Sequence, residues 1–199
     1  MGCVRCSPLV VHGDAGFSDC VSRFLVTALA AWALAAMTGL QPNAKWKPSY
    51  AATADAIAKV ATEAPLYRGA QKEVRTAALF VAISYYESRF RTDARGGKGR
   101  WLCLMQVARE NLPRGGAAQV LSSPEACLRA ALPVLRRSFE KCAGRPEVDR
   151  LGAFAASTCE KGAAASRGRS YLAKLLLRRH VDIIPPDPPD PEPEAAMRL

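Results

Sequence analysis

Ala77-Ala78-Leu79-Phe80-Val81-Ala82-Ile83-Ser84-Tyr85-Tyr86-Glu87-Ser88-Arg89-Phe90 is the stretch on which the reading of this chain turns. Glu87 is its only acid. The residues before it carry charge (Lys72, Glu73, Arg75), so Gln71 to Tyr86 reads as a helix that starts in water and runs into the core. A carboxyl group at the inner end of such a helix is costly, because desolvation disfavours its ionised form. An acid that keeps its proton near neutral pH can hand it to a leaving-group oxygen. The structural alternative is a Glu in the last helical turn, open to water and paired with Arg89 or Arg91.

Downstream, a polar loop (Ala94-Arg95-Gly96-Gly97-Lys98-Gly99) leads into Cys103-Leu104-Met105-Gln106-Val107. Glu-Ser-x-Phe followed at this distance by Leu-Met-Gln resembles the soluble lytic transglycosylase family, which belongs with the lysozyme-like folds. That family carries Glu-Ser-x-Phe at the end of a central helix, then a loop, then Gly-Leu-Met-Gln. Cys103 stands here at the Gly position. A later family element, Tyr-Asn-x-Gly, has its best counterpart in Phe154-Ala155-Ala156-Ser157, which keeps the ring and loses the phenol hydroxyl, the Asn and the Gly. The resemblance extends loosely from about Trp46 to about His180. It implies a mainly α (α+β) fold, a lysozyme-like domain with a small β-hairpin beside the active-site groove. The hairpin is expected between Arg89 and Gln106.

The resemblance further implies a peptidoglycan lytic transglycosylase that cleaves the β-1,4 bond between N-acetylmuramic acid and N-acetylglucosamine. Glu87 is then the catalytic acid, and later the base. Ser88 orients Glu87 or the substrate N-acetyl group, and Leu104, Met105, Gln106 and Phe154 contact the glycan. Many glycosidases need a second carboxylate. Asp93 is the nearest one, but the family's chemistry uses the muramyl 6-hydroxyl instead and needs no metal or cofactor. Trp101 reads either as a sugar-stacking platform or as core packing. Two alternatives stay open: a lysozyme-type hydrolase on the same fold, and a wall-binding or scaffold protein that has lost catalysis.

At 199 residues, 49% hydrophobic and 23% charged, the chain has room for one ordinary domain with tails. The net charge of +10 is uneven. From Asp182 onward five acids face one Arg, so residues 1–181 carry +14. Such a surface suits a polyanion. Peptidoglycan strands, with their peptide carboxylates, and the anionic wall polymers fit this description. Nucleic acid is not expected, because no zinc finger or aromatic-rich single-strand motif is present. His12 and His180 make no catalytic pair, and a Ser-His-Asp or Cys-His site would have to use His180. The protein is expected to be a monomer.

Of seven cysteines, Cys3 and Cys6 form a C-x-x-C without a second pair at metal-site distance. Cys103, Cys127, Cys142 and Cys159 allow two disulfides in any of three connectivities. Cys142 with Cys159 is the pair expected first, since both flank a short link between predicted helices. Pairing agrees with an extracytoplasmic location, in the periplasm or cell envelope, or with a phage-encoded protein acting on the wall.

Residues 1–23 read as a poorly ordered segment and 24–44 as a hydrophobic one. Phe24–Leu40 holds no charge over 17 residues: short for a membrane span, long for a signal-peptide core. Signal, membrane anchor through 24–40, and first core helix all remain open. Residues 45–182 form the domain, and 183–199 an acidic Pro-rich tail of polyproline-II character. Within the domain, helices are expected from Tyr50 to about Thr62 with Ser49 as cap, from Ser122 or Ser123 to about Lys141 with a kink at Pro133, from Asp149 to about Thr158, and from about Ser166 to His180.

Overall fold

Seven helices and a three-stranded antiparallel sheet make up residues 15–179, which the computed structural model describes. Cys3, Cys6, His12, His180 and the acidic tail lie outside the described residues. Helix α3 (Lys72–Ser88) sits at the centre. Every residue from Thr76 to Ser84 is buried, and α1 (Ala15–Leu40), α2 (Tyr50–Glu63) and α7 (Ala163–Arg179) pack around it. That is the environment an apolar run on all helical faces requires.

Helix α1 starts at Ala15, so the chain is helical well before residue 24. From Arg23 onward its buried residues are Leu29, Trp32, Ala33, Ala36 and Met37, a single i, i+3, i+4, i+7, i+8 stripe laid against α2. In the core-helix reading, one of the three left open, α1 is thus buried on one face and not all round. Phe24 and Leu34 stay exposed, and Arg23–Leu40 is also long and apolar enough to cross a membrane by length and composition.

In α2, where a helix was expected, Ala54, Ile57, Ala58 and Ala61 fall at i, i+3, i+4 and i+7 and are buried. Ser49 does not cap this helix. Its backbone (φ −83°, ψ −3°) already continues from a 3-10 turn, Lys47–Ser49, and its hydroxyl donates to Trp46 O at 2.7 Å. At α5 (Pro124–Lys141) the two candidate caps are resolved: Ser123 accepts from Ala126 N–H at 3.2 Å with Pro124 behind it. Ser122 instead closes α4 (Gly116–Ser122), donating to Gln119 O. Helix α5 continues through Pro133 and buries Leu128, Ala131, Leu132 and Leu135.

The expected helix over Asp149–Thr158 is broken into a 3-10 turn, Glu147–Asp149, and the short α6 (Gly152–Ala156). The backbones of Gly152 and Gly162 touch here: a Cβ on Gly162 would meet Gly152 O at 1.9 Å. The Cys142–Cys159 disulfide, the expected pair, ties the end of α5 to this segment, and Cys103–Cys127 is the second bridge. On α7 Tyr171 faces solvent, while Leu172, Ala173 and Leu176 turn inward.

The expected hairpin forms from β1 (Arg95–Gly96) and β2 (Trp101–Leu102), with Gly96 opposite Trp101. A third strand, β3 (Val107–Ala108), pairs with β2 and sets Leu102 opposite Val107. The sheet projects beside the C-terminal end of α3.

Candidate active site

The end of α3 sends the four residues of Glu-Ser-x-Phe in four directions. Arg89 and Phe90 both take positive φ, +55° and +67°. Arg89 N–H donates to Tyr85 O and Phe90 N–H to Ser84 O, so two successive left-handed residues fold the chain back over the last turn and use its free carbonyls. The reversal buries Phe90 completely, edge-on to Tyr50 at 5.5 Å and beside Tyr85 at 5.9 Å. Trp46 Nε1 donates to Arg89 O at 2.5 Å and fixes the turn from outside. Arg89 lies over the Tyr85 ring.

Ser88 joins the two sequence motifs. Its Oγ donates to Leu104 O at 2.9 Å, with Ser84 O also in reach at 3.1 Å. The 103–106 segment is a tight turn in which Gln106 N–H and Nε2 both donate to Cys103 O at 3.0 Å. Cys103 and Gln106 adopt φ of +62° and +48°. Leu104 and Met105, expected to contact the glycan, are fully buried instead. Met105 Sδ accepts from Ser84 Oγ at 3.3 Å, so these two residues anchor the turn in the core. The alternation forced by the turn leaves Gln106 as the member of Leu-Met-Gln that reaches the surface.

A cleft of about 190 Å³ is lined by Glu87, Trp101, Gln106, Phe154, Ala155 and Arg169. Three of the expected site residues, Glu87, Gln106 and Phe154, therefore meet in one place. Trp101, 37% exposed, forms a wall of this cleft and not part of the core. The glycine loop makes room for it. A Cβ on Gly97 would come within 2.8 Å of the indole, and one on Gly96 within 2.3 Å of Gln106 Oε1. Phe154 is positioned from its backbone, whose N–H donates to Ser138 Oγ at 2.9 Å.

Glu87 is not paired with Arg89 or Arg91. Its partner is Arg169 of α7, 82 residues away, whose Nε (3.2 Å) and Nη2 (2.5 Å) both donate to Oε1. The two side chains are only 12% and 18% exposed, Arg169 and Glu87 respectively. A carboxylate in the last turn of a helix faces the negative end of the helix dipole, and the guanidinium offsets that. Oε2 accepts no hydrogen bond from the described residues. Arg169 is itself held by Ala165 O at 2.8 Å and by the Tyr86 ring at 5.4 Å. Nothing in the sequence near Arg169 marks it: it is one of several Arg on a basic helix, and only the packing of α7 on α3 brings it to Glu87.

The chain matches no protein-family model, no curated protein and no solved structure.

Glu87 is the one carboxylate among the lining residues. Asp93, the second candidate, has a side chain 76% exposed, faces Arg91 at 3.7 Å and is not among the residues that line the cleft. Among the described residues no three His, Cys, Asp or Glu side chains converge as metal ligands. The arrangement offers one carboxyl group with one oxygen restrained and the other open, a neighbouring cation, an amide, and two aromatic surfaces. It suits proton transfer to and from a flat, hydroxyl-rich ligand.

Proposed function

We propose that the protein is a peptidoglycan lytic transglycosylase-like enzyme with a lysozyme-like fold, and that Glu87 is its single acid and base. The observation that carries this reading is the convergence of separate motifs: Glu87, Gln106 and Phe154 line one cleft, and Ser88 bonds directly to the turn that presents Gln106. A second observation supports it. Cys103 and Ser157 occupy the two positions where the family has glycine, and both hold positive φ, +62° and +66°, a conformation natural to glycine.

In the proposed reaction the protonated Glu87 gives its proton to the glycosidic oxygen as the bond to the muramyl anomeric carbon breaks. The muramyl 6-hydroxyl then attacks that carbon, and the Glu87 carboxylate takes its proton. The product is a 1,6-anhydro ring, no water is consumed, and Glu87 ends protonated as it began. Arg169 pairs with the carboxylate form, the state that receives the 6-hydroxyl proton. Trp101 presents an indole face for a sugar ring, and Gln106 an amide for its hydroxyl or N-acetyl groups. Two disulfides and the basic surface support action outside the cytoplasm, on an anionic wall.

A second reading, a wall-binding protein without cleavage, is favoured by two specific features. Phe154 offers no hydroxyl at the cleft, and Arg169 already occupies one Glu87 oxygen. Cleavage by the wild type and its loss in Glu87→Gln separates the readings. Removing a general acid costs at least about 100-fold in rate, and the isosteric amide keeps an oxygen that accepts from Arg169 while giving up the charge. Binding that is equal in both proteins, with no cleavage by either, would establish the second reading.

A further inference from the structure

A second concave surface is an open basin of about 790 Å³ lined by Arg95, Lys98, Gly99, Arg100, Arg109 and Glu110. Four of its six lining residues are cationic. Its one acid is already neutralised: Arg100 Nη2 bonds Glu110 Oε1 at 2.8 Å, and that guanidinium holds the Glu110 carboxyl below the ordinary glutamate range. The side chains of Arg95, Lys98 and Arg109 make no hydrogen bond or ion pair with the described residues. Exposed cations are common singly, but three gathered around one concavity without a counter-charge repel one another. The fold holds them there by strand pairing: Arg95 stands opposite Leu102, and Arg109 N–H bonds Arg100 O at 2.8 Å.

The basin adjoins the cleft. Arg100 and Trp101 are neighbours in the chain, one lining each concavity, and the Arg100 guanidinium sits 5.3 Å from the Trp101 ring centroid. A glycan seated against Trp101 therefore has its pendant groups within reach of the basin. Arg guanidinium and Lys ammonium groups are donors without acceptor capacity, and the Arg fork matches a carboxylate.

We infer that this basin binds the carboxylates of the peptide stems carried by the glycan strand whose sugars occupy the cleft. The inference rests on the proposed glycan-cleaving function and adds a substrate preference to it: stem-bearing strands over strands stripped of peptide. The contacts are solvent-exposed, so each contributes a factor of about two and the set about tenfold, weakening as salt is raised.

The test measures binding, not cleavage, on the Glu87→Gln chain, with soluble peptide-bearing glycan strands and the same strands freed of peptide by an amidase. The comparison protein adds Arg95→Ala, Lys98→Ala and Arg109→Ala, all at exposed positions. Circular dichroism and melting temperature verify that it folds. The expected result is that the parent binds stem-bearing strands about tenfold more tightly than bare ones, and that the triple variant binds both equally, at the parent's affinity for bare strands. Equal binding of the two strands by the parent overturns the inference and leaves the glycan reading standing. No binding of bare strands by either protein overturns the glycan reading and this inference with it. A poly(glycerol phosphate) arm tests the other wall polyanion. Should the triple variant lose affinity for that polymer while keeping its preference for stem-bearing strands, the basin is a phosphate site and the inference fails.

Discussion

Cys103 holds φ +62°, a conformation that costs a residue with a Cβ roughly 1–2 kcal/mol and glycine nothing. The bridge to Cys127, closing a separation of 24 residues, more than offsets that cost, since such a loop contributes about 3 kcal/mol in the chain-entropy model. With Cys127→Ala in place the cost is uncovered. Calorimetry should then find Cys103→Gly melting about 2–8 °C above Cys103→Ala, and equal melting would contradict the assigned strain. The Glu87–Arg169 pair is the other residue-scale claim. Both side chains are largely shielded, so a double-mutant cycle with Glu87→Gln and Arg169→Gln should return a coupling of about 1–3 kcal/mol. A coupling near zero would mean that the pair is no stronger than a surface contact. The apolar context of Glu87 was legible in the sequence. Its partner was not, because a contact across 82 residues leaves no local trace.

Among the elements, α1 and the α2–α5 junction make the clearest predictions. Leu29, Trp32 and Met37 of α1 are buried against the rest of the domain, each contributing roughly 1.5–3 kcal/mol, against a usual total stability of about 5–15 kcal/mol. A chain beginning at Gln41 should therefore be unfolded or aggregated, whereas one beginning at Val21 should melt cooperatively. Matching melting temperatures would show that α1 is dispensable. At the junction, Lys59 and Arg129 both bond Glu125, and Arg129 also reaches Glu63. Lys59 first, then Arg129, hold the Glu125 carboxyl below its ordinary value of 4.5. A depressed carboxyl stabilises the fold fully above that value and loses the contribution as pH falls through its own lower one. Melting temperature should thus decline below about pH 4.5, and Glu125→Gln should lessen the decline. An unchanged acid limb would remove Glu125 from the account. Helix α2 was legible from its spaced apolar residues, α3 from charge confined to its first half, and α5 from its Ser-Pro start. The α6 region was overextended: Asp149 ends a 3-10 turn and accepts from Arg167 and caps no helix, and the Gly152–Gly162 contact and the Cys142–Cys159 bridge hold the segment in short turns. Strand β3 was missed because two residues give no periodicity.

For the whole molecule, a central buried helix ends at a small sheet, and a cleft opens where they meet. Its floor is Glu87, its walls are Trp101, Gln106 and Phe154, and a basic basin lies alongside. Leu-Met-Gln was legible as a motif, but its residues divide between core and cleft in a way only the turn geometry decides: Leu104 and Met105 go inward, Gln106 outward. The central claim is that this cleft breaks glycan strands without water, through Glu87 alone. Mass spectrometry of the soluble products released from purified peptidoglycan tests it most directly. The wild type is expected to give muramyl ends lighter by one water than hydrolysis products, and Glu87→Gln to release at least about 100-fold less. Free reducing ends from the wild type, or release by Glu87→Gln within a fewfold of it, would contradict the account.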